Sequence, residues 1–227
     1  MKLCVALDMP TKQDNVDLAK KLKKCDVWLK IGLRSFIRDG KTIIDELKNI
    51  NPNFKLFLDI KLYDIPNTMA DAAESISLLG IDMFNVHASS GKIAMKTVMD
   101  RVKTFKNQPL VLSVTALTSF SNDDFYSIYN ENIETKAVKL ALDTYEAGLN
   151  GVVCSVYESL NIKNHICSKF ITLTPGIRPF NEDSNDQKRV ATIEDAKEHM
   201  CDFVVVGRPI YNSPKPLDVT LKILEKL

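Results

Sequence analysis

Eight short apolar runs alternate with stretches of helical periodicity along this chain, and that alternation restricts its fold more than any other feature. The runs fall near 3–8, 27–32, 55–60, 82–88, 109–116, 151–156, 170–175 and 202–206. Each has the length and composition of a buried strand. Amphipathic stretches lie between them, at Asn15 to Lys24, Thr42 to Asn49, Thr68 to Leu79, Lys92 to Phe105, Thr135 to Ala147 and Ile193 to Met200, and Pro216 to Leu227 supplies the last. The pattern predicts a single-domain α/β protein, a (β/α)8 TIM barrel spanning 1–227. An open, doubly wound sheet is the rival, because alternation alone does not show closure. Such barrels run to ~250 residues, and 227 residues fit one with few insertions. No Gly/Ser-rich linker or break in composition divides the chain.

A barrel of this kind collects its functional groups at the carboxyl ends of its strands. Asp8 closes the first run, Lys30 falls near the end of the second, and Asp59 and Lys61 finish the third. His87 ends the fourth, Thr115 and Thr118 follow the fifth, Pro175-Gly176-Ile177-Arg178 follows the seventh, and Gly207-Arg208 closes the eighth. One such residue would say little; their recurrence at one end points to an active site.

The most informative stretch is Asp59-Ile60-Lys61-Leu62-Tyr63-Asp64, which follows the apolar run Phe54-Lys55-Leu56-Phe57-Leu58. Side chains alternate along a strand, so Asp59 and Lys61 should share a side, with Asp64 in the loop beyond and Pro66-Asn67 stopping the strand. Lys30, Asp59, Lys61 and Asp64 could form a row of alternating charge. At an effective dielectric near 20, a pair at 4 Å is worth ~4 kcal/mol, enough to hold both partners charged. Such a row can set an ammonium against developing negative charge and then give up a proton. A magnesium site built from Asp8, Asp59 and Asp64 is the competing use. The interleaved lysines oppose it, since an ammonium repels a dication. A solvated, charged strand end is the plain alternative.

Thr174 to Pro179 and Val204 to Pro209 each set glycine directly after an apolar run, with an arginine close behind. Glycine lets a backbone N–H approach a phosphate, and the guanidinium fork matches its oxygens. The loops after strands seven and eight are the usual phosphate position in such barrels. Asn181 to Lys188 is polar and aperiodic, and reads as a lid whose Gln187 could reach a phosphate. His87 is as readily a hydrogen-bonded structural residue as a base. His165 and His199 read as surface residues, and Trp28 as core.

Composition narrows the class. The net charge is +1, from 30 basic and 29 acidic residues, so nucleic acid is not an expected partner. The five cysteines are odd in number and form no C-x-x-C pair. Structural zinc and a disulfide framework are therefore not expected, and a reducing compartment, the cytoplasm, is. No signal-peptide layout opens the chain, and no apolar run approaches the ~20 residues of a membrane span, so no membrane association is expected.

Taken together, the motifs resemble those of the orotidine 5′-monophosphate decarboxylase family, in order from Val5 to Ile210. They are Ala6-Leu7-Asp8, Lys30-Ile31-Gly32, the D-x-K-x-x-D-I-P-N-T run from Asp59 to Thr68, Val86-His87-Ala88, and Val114 to Ser119. Thr174 to Arg178, Asp186-Gln187-Lys188-Arg189 and Val205 to Pro209 complete the set. The D-x-K-x-x-D core also occurs in sugar-phosphate relatives; I-P-N-T, L-T-S and D-Q-K-R single out the nucleotide enzymes.

The resemblance implies conversion of orotidine 5′-monophosphate (OMP) to UMP and carbon dioxide, with no metal and no organic cofactor. It makes Lys61 the proton donor to C6 of the pyrimidine, with Asp59 beside the departing carboxylate and Lys30 holding the network and contacting the ribose. Asp64 would come from the neighbouring subunit of a homodimer. Asp8 would bind the ribose, Thr118 the pyrimidine, and Arg178, Gln187, Gly207 and Arg208 the phosphate region, with Ile65 and Thr68 also contacting substrate. Asn212 to Pro216 departs from the family pattern, where an acidic residue often precedes the proline, but it lies past the phosphate motif. A magnesium-dependent keto-sugar-phosphate decarboxylase and a catalytically silent nucleotide-binding module are the alternatives. The second would be expected to lack Lys61 or Asp59, and both are present.

Overall fold

A computed structural model describes residues 1–180 and 188–227. Its strands are β1 (Lys2–Ala6), β2 (Trp28–Gly32), β3 (Lys55–Leu62), β4 (Met83–His87), β5 (Leu110–Val114), β6 (Gly151–Val153), β7 (Ile171–Thr174) and β8 (Phe203–Val206). All pair in parallel with their neighbours, and β1 pairs with β8, so the sheet closes into a barrel. Closure excludes the open doubly wound alternative. The helices are α1 (Lys12–Leu22), α2 (Leu33–Asp39), α3 (Lys41–Ile50), α4 (Pro66–Leu78), α5 (Lys92–Val102), α6 (Asn122–Tyr129), α7 (Ile133–Glu146), α8 (Val156–His165), α9 (Ile193–Glu198), α10 (Arg208–Tyr211) and α11 (Pro216–Lys226). None of these is long and apolar enough to cross a membrane.

Local chemistry sets several boundaries. Thr11 caps α1 by accepting the Asp14 N–H at 3.1 Å, and Ser121 with Asp124 and Thr192 with Asp195 form reciprocal capping boxes on α6 and α9. Pro66 does not merely end β3: it occupies the first turn of α4, where its missing N–H costs nothing, so α4 starts two residues before Thr68.

The period of two along the strands divides the apolar residues into two layers. Leu3, Val5, Leu29, Ile31, Leu56, Leu58, Val204 and Val206 face the surrounding helices, in one cluster with Leu22, Ile43, Leu47, Met95 and Ile223. Each large side chain so buried contributes roughly 1.5–3 kcal/mol. The other parity, with Cys4, Phe57, Met83, Leu112, Leu173 and Phe203, fills the barrel itself. Trp28 joins this interior only in part: it is half-buried, its indole perpendicular to the Phe203 ring at a centroid distance of 5.2 Å.

Candidate active site

The strand parity that fills the barrel also delivers its charges. Two residues beyond Trp28, Phe57 and Met83 on the same face come Lys30, Asp59 and Asn85, one step nearer the carboxyl ends. There they lie at and beneath the floor of a cleft of about 520 Å³, whose lining includes Asp8, Lys30, Asp59, Lys61, Thr118, Arg178, Gly207 and Arg208. That volume suits a small organic ligand.

Four charges alternate along the floor. Lys30 Nζ lies 3.0 Å from Asp8 Oδ2 and 3.4 Å from Asp59 Oδ2, and Lys61 Nζ lies 2.6 Å from Asp59 Oδ1. Burial disfavours the charge on Asp59, but the Lys30 and Lys61 ammoniums outweigh it, with hydrogen bonds from Lys61 and Asn85, and hold its pKa at about 2. Burial likewise disfavours the charge on Lys30, and Asp59 and Asp8 reverse that effect, raising its pKa above the ordinary lysine range. Both groups are thus charged throughout the neutral range.

The row differs from the sequence expectation at both ends. Asp8 stands beyond Lys30, two residues past the end of β1 rather than within it. Asp64 is outside the row. The chain leaves β3 at Leu62 and enters α4 at Pro66, and this turn carries Asp64, Ile65 and Thr68 to the exposed surface. The Asp64 carboxylate accepts the Ile65 N–H at 2.7 Å and does not line the cleft of its own chain. The Asp8–Asp59–Asp64 metal arrangement is therefore not assembled. Among the described residues, no group of three or more His, Cys, Asp or Glu is placed to hold a metal ion.

Lys61 reaches Asp59 by an irregular route. Leu58 pairs with Phe84 and Leu62 with Val86, so Asp59, Ile60 and Lys61 bulge opposite Asn85 alone. Lys61 has φ +51°, in the left-handed region that few non-glycine residues occupy. Asn85, fully buried, accepts the Lys61 N–H at 2.8 Å and donates to Asp59 Oδ1 at 2.8 Å.

The part of the cleft lined from β7 and β8 carries the groups expected for phosphate. Arg178 is buried, its Nη1 donating to the Ile177 carbonyl at 3.1 Å. Its loop is pinned at the base, where the Arg178 N–H donates to Ala191 and the Ala191 N–H to Gly176. Gly207 and Arg208 line the cleft where β8 gives way to α10. A Cβ on Gly207 would lie 3.3 Å from both Ala6 Cβ and Tyr211 Cε1, so the close approach favours glycine. Thr118 is buried in the cleft wall, and its carbonyl accepts the N–H groups of Lys188 and Arg189. Gln187 and all but the last residue of the Asn181–Lys188 segment lie outside the described residues; Lys188 pairs with Asp124 at 2.7 Å.

His87 does not line the cleft. Its Nδ1 accepts the Ser89 N–H at 3.3 Å, its ring stacks on Tyr63, and burial followed by the Lys61 charge lowers its pKa. This is a neutral, turn-capping histidine. Thr115 is buried, with Oγ1 donating to the Val153 carbonyl rather than facing the cleft. His165 is exposed and His199 half-exposed, both at helix ends.

Comparison with known proteins identifies the lineage of this site. The profile described as "Orotidine 5'-phosphate decarboxylase / HUMPS family" matches residues 1–223. The chain belongs to that family. Among its similar relatives is the orotidine 5'-phosphate decarboxylase of a Nitratiruptor species, 63% identical over 227 residues and 100% of both chains. That of Sulfurimonas denitrificans is 61% identical, again over 100% of both. The crystal structure of orotidine 5'-phosphate decarboxylase from Lactobacillus acidophilus superposes with a TM-score of 0.85 at 32% identity, covering 99% of this chain and 98% of that one. The resemblance read from the motifs is thus borne out, and the barrel is that of the orotidine 5'-phosphate decarboxylase / HUMPS family.

Sequence reasoning passed over Asn85 and Tyr211. Asn85 did leave a signal, a lone amide inside the apolar strand Met83-Phe84-Asn85-Val86. Tyr211, in the short helix after Gly207, lines the cleft beside Arg208 and left no such mark.

Proposed function

We propose that this protein decarboxylates OMP at C6 to give UMP and carbon dioxide in pyrimidine biosynthesis, using only its own side chains. The observation that carries this reading is the alternating row Asp8, Lys30, Asp59, Lys61 on the floor of a cleft whose lining also presents Arg178, Gly207 and Arg208. A nucleotide laid along the cleft sets its phosphate at the arginines, its pyrimidine against Thr118 and its ribose hydroxyls near Asp8 and Lys30. C6 then falls beside Asp59 and Lys61.

The chemistry follows from charge. The C6–carboxylate bond breaks, and its electron pair stays on C6 in the ring plane, where the ring carbonyls delocalise it poorly. The Lys61 ammonium stabilises that pair and then donates a proton to it, forming the C6–H bond of UMP. Asp59, held ionised, faces the substrate carboxylate before it leaves and orients Lys61 throughout. Grip on the distant phosphate contributes binding energy that helps to orient the reacting end.

Asp64 enters as a residue of a second subunit. It lies on an exposed segment with Tyr63 and Ile65, and Leu33, Ile37 and Ile93 are also exposed apolar side chains on elements that follow β2 and β4. We assign this surface to a homodimer interface that brings Asp64, Ile65 and Thr68 to the partner's cleft. Five free cysteines fit a reducing compartment, and we place the enzyme in the cytoplasm. No step calls for a metal, since Lys30 and Lys61 occupy the positions around Asp59 that a cation would need.

The test is the fall in OMP absorbance with purified protein, with and without EDTA. Loss of OMP unaffected by EDTA supports the proposal. A folded but inactive protein overturns it, and activity on keto-sugar phosphates with magnesium would replace it.

A further inference from the structure

The chemistry proposed above requires Asp59 and Lys61 to stand together on one wall of the cleft, and regular strand geometry does not hold them there. The β3 bulge sets three residues against one, which leaves the Lys61 N–H without a ladder partner and puts Lys61 at φ +51°. A buried, unpaired N–H and a left-handed lysine are both unfavourable, so something must compensate for them.

We propose that Asn85 is a positioning residue for the reaction, its single amide bracing the bulge so that Lys61 and Asp59 are aimed together at C6. The Oδ1 atom accepts the Lys61 N–H at 2.8 Å and the Nδ2 atom donates to Asp59 Oδ1 at 2.8 Å, the same oxygen that binds Lys61 Nζ at 2.6 Å. The two partners fix the amide's orientation, because only an oxygen can accept the N–H and only a nitrogen can donate to the carboxylate. Asn85 is fully buried and absent from the cleft lining, so it acts through Lys61 and Asp59 rather than on the substrate. No other side chain of this size that is uncharged at neutral pH has an acceptor and a donor at that spacing. Leucine fills the space and satisfies neither group. Aspartate accepts the N–H but sets a second carboxylate against Asp59.

The inference rests on the decarboxylase reading for its kinetic consequences but not for its geometry, and the experiment separates the two. For Asn85→Leu, kcat should fall about 10- to 100-fold, the loss expected for one hydrogen bond to a charged group, while UMP affinity changes less than about threefold. Asn85→Asp supplies a signature that a merely structural role would not produce. At low pH its protonated carboxyl restores both a donor and an acceptor. Its kcat should therefore fall as pH rises through a new ionisation absent from wild type. Carbon-detected NMR of the Asp59 carboxyl reads the geometry without turnover: its titration should rise in Asn85→Leu. Folded variants with wild-type kcat, no new ionisation and an unmoved Asp59 titration would overturn the proposal. If Asn85→Leu fails to fold, the near-isosteric Asn85→Asp decides by its pH profile. If wild type does not decarboxylate OMP, the functional reading falls and the Asp59 titration alone judges Asn85, compared in wild type and in whichever variant folds.

Discussion

Lys61 Nζ and Asp59 Oδ1 are 2.6 Å apart across a bulge that bends β3 out of regular pairing with β4. The contact leaves the lysine anchored and charged at the cleft surface, half-buried and able to reach a ligand. A row in which every ammonium touches a carboxylate can hold this geometry before substrate arrives, so little reorganisation is left for the reaction itself.

Asp59 should make stability depend on acid. Its folded pKa of about 2 lies below the ordinary aspartate value of about 4, so its stabilisation is complete above about pH 4 and fades as pH falls towards about 2. Asp59→Asn should lose on the order of 2 kcal/mol at neutral pH, and its stability should decline less steeply than that of wild type across that window. Urea denaturation at a series of pH values measures both quantities; equal slopes would show that Asp59 is not held ionised by its lysines.

Gly32→Ala should damage the site more than the fold. A Cβ there would lie 2.4 Å from Asp8 Oδ1 and 3.1 Å from Lys30 Nζ. The backbone at Gly32, with φ −79°, accepts alanine, and the exposed Asp8 side chain is free to swing aside. Lys30 would then keep only Asp59. Decarboxylation kcat/KM should drop roughly tenfold for the loss of one charge-assisted contact, with a melting temperature within about 4 °C of wild type. Unchanged kinetics would mean that Asp8 plays no part in the row.

Arg208→Ala should separate phosphate from base recognition. UMP binding and kcat/KM should fall by about two orders of magnitude, the scale of a lost charged hydrogen-bond partner, while uridine binding stays the same. Calorimetric titration with the two ligands makes the comparison. Equal weakening of both would remove Arg208 from the phosphate end.

Asp64 should act across the dimer. Asp64→Ala and Lys61→Ala homodimers should each be inactive, yet mixing them under exchange should restore about a quarter of wild-type activity, because half the dimers are then mixed and each has one complete site. No recovery from demonstrably exchanged subunits would return Asp64 to its own chain.

The barrel was legible because all eight strands are predominantly apolar, the mark of strands covered on both faces. Their ends were less so. The run at 151–156 continues through Cys154 and Val156, but β6 stops at Val153, and Ser155 with Glu158 opens α8. Helix α2, which begins directly after Gly32 with no connecting loop, and α6, α8 and α10 are not among the amphipathic stretches marked out from the sequence. In the site, Lys30, Asp59 and Lys61 came together as expected. Alternation gave the right side for Lys61 by an incomplete argument, since a bulge and a left-handed residue intervene. The place of Asp64 was not readable from spacing, because the turn between Leu62 and Pro66 carries it to the exposed surface rather than along the strand face.

The most direct measurement is the rate of OMP decarboxylation by Lys61→Ala, with UMP affinity determined on the same preparation. We expect no detectable turnover from a folded protein that still binds UMP, because no other described residue on the cleft floor takes the place of Lys61 beside Asp59. Turnover near the wild-type rate would contradict the assignment of Lys61 as the proton donor, and with it the central claim.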